Sequence, residues 1–134
     1  MRHSLAAILA LITVSAAGAA TAQDQNAAPP PSSNCFFSSN WQGWSAPGNG
    51  DTLLIRVRPN DIYRIELAPG AHVHKTGDRF LVNELRGGNW ICSALDLDLT
   101  LSDHQGFSQA LIARSLTKLT ADEVAAIPRA DLPS

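Results

Sequence analysis

Between Leu95 and Leu101 every odd position is leucine, while the even positions are Asp96, Asp98 and Thr100. A period of two sends one set of side chains into a core and the other into water, so this stretch predicts a half-buried β-strand. The strand belongs to a longer segment, Gly88–Leu101, that also carries Trp90 and Cys92. The same alternation recurs upstream. Leu53, Ile55 and Val57 share one face of Thr52–Arg58, and Tyr63, Ile65 and Leu67 share one face of Ile62–Leu67. Pro59-Asn60-Asp61 joins the two runs, and together they predict a β-hairpin. Arg79–Leu85 predicts another strand, and Arg86–Asn89 turns it into Gly88–Leu101. Ser102–Gly106 is a further turn. In Phe107–Leu119, alternation favours a strand near Leu111–Leu116.

The end of the chain changes period. Thr120-Ala121-Asp122-Glu123 has the spacing of a capping box, with Leu119 and Val124 at the positions of a hydrophobic staple. It predicts a short helix from Ala121 to about Ile127, stopped by Pro128. These elements imply a mainly β domain: a small antiparallel meander of five to six strands, as a curled sheet or barrel-like, with a short C-terminal helix. No βαβ alternation is present, which argues against a parallel α/β fold.

Upstream of Cys35 the pattern disappears. Met1-Arg2-His3 is followed by an apolar and small-residue run and then by Ala20-Thr21-Ala22. A basic start, a short apolar region and an Ala-x-Ala site predict a signal peptide over residues 1–22. The leucine-rich part ends near Val14, short of the ~20 residues a bilayer span needs. No cysteine adjoins the expected cleavage site, so a lipid anchor is not implied. Residues 23–34, with Pro29-Pro30-Pro31, predict a disordered or polyproline-like leader. Residues 35–134 then form a single β-rich domain, in the periplasm or secreted.

Export changes the picture for the two cysteines. In an oxidising compartment Cys35 and Cys92 are expected to form a disulfide, with Phe36 and Ile91 beside it in the core. Closing so long a loop is worth about 4 kcal/mol in the chain-entropy account. Reactive thiols are the alternative, although a Cys-x-x-Cys redox motif is absent. Charge narrows the partners. Removing Arg2 from the ten basic residues leaves nine against twelve acidic ones, and the arginines are dispersed. Nucleic acid would call for a basic stripe, so it is not an expected partner. No further apolar run is long enough to be a transmembrane segment after signal cleavage.

Cys35-Phe36-Phe37, Gly43-Trp44, Asp51–Ile55, Tyr63–Leu67, Ile91–Leu99 and Leu119–Pro128 together resemble a family of small exported proteobacterial proteins catalogued only as a domain of unknown function. The likeness covers most of Cys35–Pro128. It implies a periplasmic, disulfide-bonded, mostly β domain, and it brings no catalytic residues. Members of that family often carry a second cysteine pair, at places corresponding to the surroundings of Ala71 and Leu111, which this chain lacks.

Candidate chemistry is sparse. His72-Val73-His74 puts two imidazoles at i and i+2, able to hold one divalent metal if Asp78 or the Asp103-His104 pair completes the set. The alternative is a solvated loop with two incidental histidines. Asp96 and Asp98 would share a strand face, and such a pair can serve a small hydrolase, though adjacent exposed aspartates more often only keep a face in water. Trp41 and Trp44 lie beside turn residues and can form an exposed binding surface or fill the core, whereas Trp90 adjoins Cys92 and points to the core. Gly-x-Ser-x-Gly, Ser-x-x-Lys and phosphate-loop motifs are absent. The leading expectation is a non-enzymatic binding module of the cell envelope that takes an envelope protein or a small ligand and needs no cofactor. A metal-binding protein using His72 and His74 is the second, and a hydrolase using Asp96 and Asp98 the third.

Overall fold

The computed structural model describes residues 34–134. The expected signal peptide, and the leader up to residue 33, lie outside the described residues. Nine strands follow in the order β1 (Phe36–Phe37), β2 (Trp41–Ser45), β3 (Thr52–Val57), β4 (Asp61–Leu67), β5 (Arg79–Asn83), β6 (Trp90–Ile91), β7 (Leu99–Asp103), β8 (Ser108–Leu111) and β9 (Ala113–Lys118). The one α-helix among the described residues is α1 (Ala121–Ala125). The strands form three antiparallel sheets: a four-stranded sheet β2-β3-β4-β9, a three-stranded sheet β5-β7-β8 and a two-stranded ribbon β1-β6. None of the three closes into a barrel.

The mainly β class and the terminal helix match the expectation; the count of five to six strands does not, for local reasons. The leucine alternation does not make one strand. Ser93 and Asp96 form a capping box that winds Ala94–Asp96 into a 3-10 turn between β6 and β7. The Asp96 carboxylate accepts from the backbone N–H groups of Cys92 and Ser93, both at 2.9 Å. These local bonds compete with the ladder and win. Leu95, expected in the core, is 96% exposed, whereas Leu99 and Leu101 are buried. The strand expected near Leu111–Leu116 is likewise two strands, β8 and β9, separated by Ile112 alone. β8 pairs with β7 and β9 with β4, so the chain changes sheet at that residue.

The β3–β4 hairpin forms as its alternation predicts, with Leu53 opposite Ile65 and Ile55 opposite Tyr63. These residues belong to the main core. That core fills the space between the four-stranded sheet and the inward residues of the three-stranded sheet, Leu81, Leu99, Leu101 and Leu111. Phe36 and Ile91 pair across the ribbon and are buried in the same cluster. The expected disulfide joins Cys35 to Cys92 beside them. It therefore ties the lead-in to β2 to the lead-in to β7, one segment for each large sheet.

The second face of the four-stranded sheet has its own cover. Leu54 and Ile62 pack against Leu119, Val124 and Ile127. Thr120 and Glu123 form the expected capping box, which starts α1 across that face. The helix ends at Ala125, slightly earlier than expected. The segment after it continues the cover. Ser45 Oγ donates to the Asp131 carbonyl at 2.6 Å, and Arg56 donates to the Pro133 carbonyl through Nε at 3.1 Å and Nη2 at 2.8 Å. Pro133 is fully buried. A Cβ at position 43 would stand 2.7 Å from the Ser134 carbonyl oxygen, so this approach requires Gly43.

Candidate functional site

Trp41 and Trp44 are three apart, and in a regular strand they would face opposite ways. A bulge between Trp41 and Gly43 adds a residue to β2, so Trp41 lies opposite Val57 and Trp44 opposite Ile55. Both partners face the core, and the bulge turns both tryptophans inward. Trp44 is buried at 8% exposure and Trp41 is half-buried. The expected binding surface is thus largely core, leaving their edges in a shallow groove of about 270 Å3. Trp41–Trp44 of β2 line one side of it, and Leu81 and Asn83 of β5 the other.

The carbonyls of β2 beside this groove are occupied. Trp41 Nε1 donates to the Gly43 carbonyl at 3.1 Å, and Lys75 Nζ donates to the Trp44 carbonyl at 2.8 Å. Lys75 also lies over the Trp44 ring, 5.5 Å from its centroid, and donates to Ser134. The histidine loop and the tryptophan strand are therefore neighbours. Trp90, expected in the core, is half-buried and packs edge-on against Phe37 with centroids 5.3 Å apart. It lines a cleft of about 320 Å3 with Arg86, Gly87, Gly88, Leu95 and Asp96.

His72 and His74 are both exposed, on either side of the fully buried Val73. Val73 N–H donates to the Gly50 carbonyl at 2.9 Å, and this clamp leaves His72 at a φ of 43°. A Cβ on Gly50 would meet the Val73 carbonyl oxygen at 2.1 Å, so the clamp depends on glycine there. His72 Nδ1 stands 3.9 Å from Asp51 Oδ1, while His74 lines a separate hollow with Ser45, Pro47 and Asp131. The expected third ligands have other work. Asp78 accepts from the Thr76 hydroxyl at 2.7 Å, which holds its pKa below the usual carboxylate range. Asp103 accepts from the Gln105 and Phe107 N–H groups and shapes the β7–β8 turn. Among the described residues no three metal-ligating side chains come together.

Asp96 and Asp98 do not share a strand face, because Asp96 belongs to the 3-10 turn and Asp98 precedes β7. Asp98 instead accepts from Arg86 Nε at 2.6 Å. Each carboxylate thus has a local structural partner. Burial pushes the Tyr63 hydroxyl pKa up, with the nearby Lys118 ammonium opposing it.

What the alternation did not disclose is the outer face of the three-stranded sheet. Register fixes its members: Phe80 and Val82 on β5, Thr100 and Ser102 on β7, and Ser108 and Ala110 on β8. None of the six is charged. His104 packs against Phe80 with centroids 5.1 Å apart, and Arg79 lies 4.7 Å over the Phe107 ring at the rim. The large exposed apolar side chains among the described residues are Phe80, Val82, Leu85, Leu95, Phe107 and Ile112. All of them stand on this sheet or on the segments that enter and leave it.

The chain matches no family model, no curated protein and no solved structure.

Among the described residues no helix is long and apolar enough to cross a membrane.

Proposed function

We propose that this chain is an exported, disulfide-bonded binding module of the cell envelope that works without catalysis and meets an envelope protein through the outer face of its three-stranded sheet. The observation that carries this is the gathering of every large exposed apolar side chain among the described residues on one sheet and its flanks, around six uncharged outward positions. Exposed apolar side chains gathered on one region of a surface mark interaction sites, whereas single ones mean little. Export is part of the proposal. It rests on the basic start, the apolar run and Ala20-Thr21-Ala22, and a disulfide accords with an oxidising compartment. The resemblance to small exported proteobacterial proteins of unknown function belongs to the same proposal. We also read the two large sheets as a curled, barrel-like meander left open between β2 and β5, on the strength of the groove lined from both strands.

The test is a crosslinking pull-down of the tagged protein from its native envelope, comparing the wild type with a Val82→Lys, Thr100→Lys variant. A reproducible partner should disappear with the variant while its melting temperature stays near that of the wild type. A partner retained at full yield would falsify the assignment of this face.

A further inference from the structure

The free edge of β5 gives the partner a specific shape. We propose that the partner binds as an extended, uncharged peptide segment added as a further strand to that edge, with its inner side chains resting in the groove beside Trp41. This deepens the assignment of the three-stranded sheet as the binding region and rests on it.

Glu84 N–H donates to the Asp98 carbonyl at 3.0 Å, extending the β5–β7 ladder by one residue. Antiparallel ladders bond every second residue, so Phe80, Val82 and Glu84 are the ones that face β7. Arg79, Leu81 and Asn83 present their backbone groups to the other side. Consistently, Arg79 N–H donates not to β7 but to the Thr76 carbonyl at 3.1 Å. The backbone N–H and C=O groups of Leu81 and of Asn83 have no partner among the described residues on that edge. Leu81 and Asn83 are also the β5 residues that line the groove.

On the opposite bank of the groove the edge is guarded. The β2 carbonyls of Gly43 and Trp44 already accept from Trp41 Nε1 and Lys75 Nζ. Natural sheets guard edges with such devices, and an unguarded edge is a template for another strand. Charge then selects the occupant. The groove is lined by Trp41, Gln42, Gly43, Trp44, Leu81 and Asn83, all uncharged. A charged side chain seated in the groove would lose water and find no counter-ion among these six residues. Size selects against a second copy seated face to face. Three strands about 4.8 Å apart and about five residues long cover on the order of 250 Å2. A stable dimer needs roughly 800 Å2 from each partner. An added strand takes its affinity from main-chain hydrogen bonds and its selectivity from alternate side chains, so a small site suffices.

The probe is an acetylated, amidated heptapeptide of alternating threonine and valine, titrated into the full domain and followed by amide hydrogen exchange. Exchange at Leu81 and Asn83 should slow at least about tenfold, while Phe80 and Val82, already bonded to β7, should change little. The same peptide with all its amides N-methylated should lose this effect. Protection by the methylated peptide, or shifts confined to the Phe80 and Val82 side chains without protection of Leu81, would overturn strand addition and leave the binding face in place. No response at about 1 mM peptide would also overturn it, because main-chain pairing depends little on sequence. The envelope pull-down judges the face independently of this result.

Discussion

The two large sheets of this molecule are built from similar alternating strands and share one core, yet they treat their outer faces oppositely. The four-stranded sheet buries Leu54 and Ile62 beneath α1, and the Asp131–Ser134 segment is fastened by Ser45, Arg56 and Lys75. The three-stranded sheet leaves Phe80 and Val82 in water at 38% and 37% exposure, facing the uncharged Thr100 and Ser102 across the ladder. Two faces of the same alternation are thus covered on one sheet and bare on the other. The difference lies in what the chain lays over each.

The disulfide joins the lead-ins to the two sheets, so breaking it should give the largest effect. Replacing both Cys35 and Cys92 by serine should cost about 4 kcal/mol by loop entropy across a separation of 57 residues, read as a lowered urea midpoint. The sheets themselves should respond unequally. Leu54→Ala, beneath the helix, should cost about 3 kcal/mol, while Phe80→Ser on the bare face should stay within about 0.5 kcal/mol. Equal costs in thermal unfolding would erase the contrast. Next comes the tail. Gly43→Ala forces a methyl group toward the Ser134 carbonyl and should cost about 2 kcal/mol, with faster hydrogen exchange at Leu132.

A smaller loss than that of the tail is expected at the helix start. Thr120→Ala removes the N-cap and should cost about 1 kcal/mol. Glu123 has its pKa lowered first by the Thr120 backbone N–H and then by the Thr120 hydroxyl. A carboxylate lowered in the folded state adds stability above its unfolded pKa, about 4.3, and loses it as pH falls through the folded value. The stability gap between wild type and Glu123→Gln should therefore be full at neutral pH and shrink toward zero in acid below about pH 4. A gap unchanged in acid would show that the box does not depend on the ionised carboxylate.

Much of the covered half was legible in the sequence. The hairpin of β3 and β4, the capping box at Thr120 and the bond between Cys35 and Cys92 each depend on short-range pattern or on cysteine count alone. The leucines of 95–101 misled, because Ser93 and Asp96 offered the backbone a local turn, and a side-chain bond three residues away outweighs a period. That Ser-x-x-Asp spacing was itself the signal that could have been used. The inward turn of Trp41 was not legible, since a bulge exists only relative to the partner strand. Nor did any breaker mark Ile112, which leaves one sheet for another and stands 69% exposed between them. Alternation separates Leu81 from Phe80 and Val82, but which face receives a cover is settled by distant segments such as α1.

The single-residue step at Ile112 also sets the order in which the chain can assemble. The β3–β4 and β7–β8 hairpins close through short turns and can form in about 1–10 μs. β9 reaches β4 across about fifty residues, and non-local pairing of that kind puts folding in the millisecond-to-second range. Because one residue separates β8 from β9, docking the second hairpin also delivers Ala113 to its place beside Leu67. Collapse of the core and closure of the four-stranded sheet should then be one kinetic event, to be read as a single slow phase in tryptophan fluorescence during refolding. Until that event the edge of β4 stays open, and it is the stretch of a newly made chain most exposed to pairing with the wrong strand.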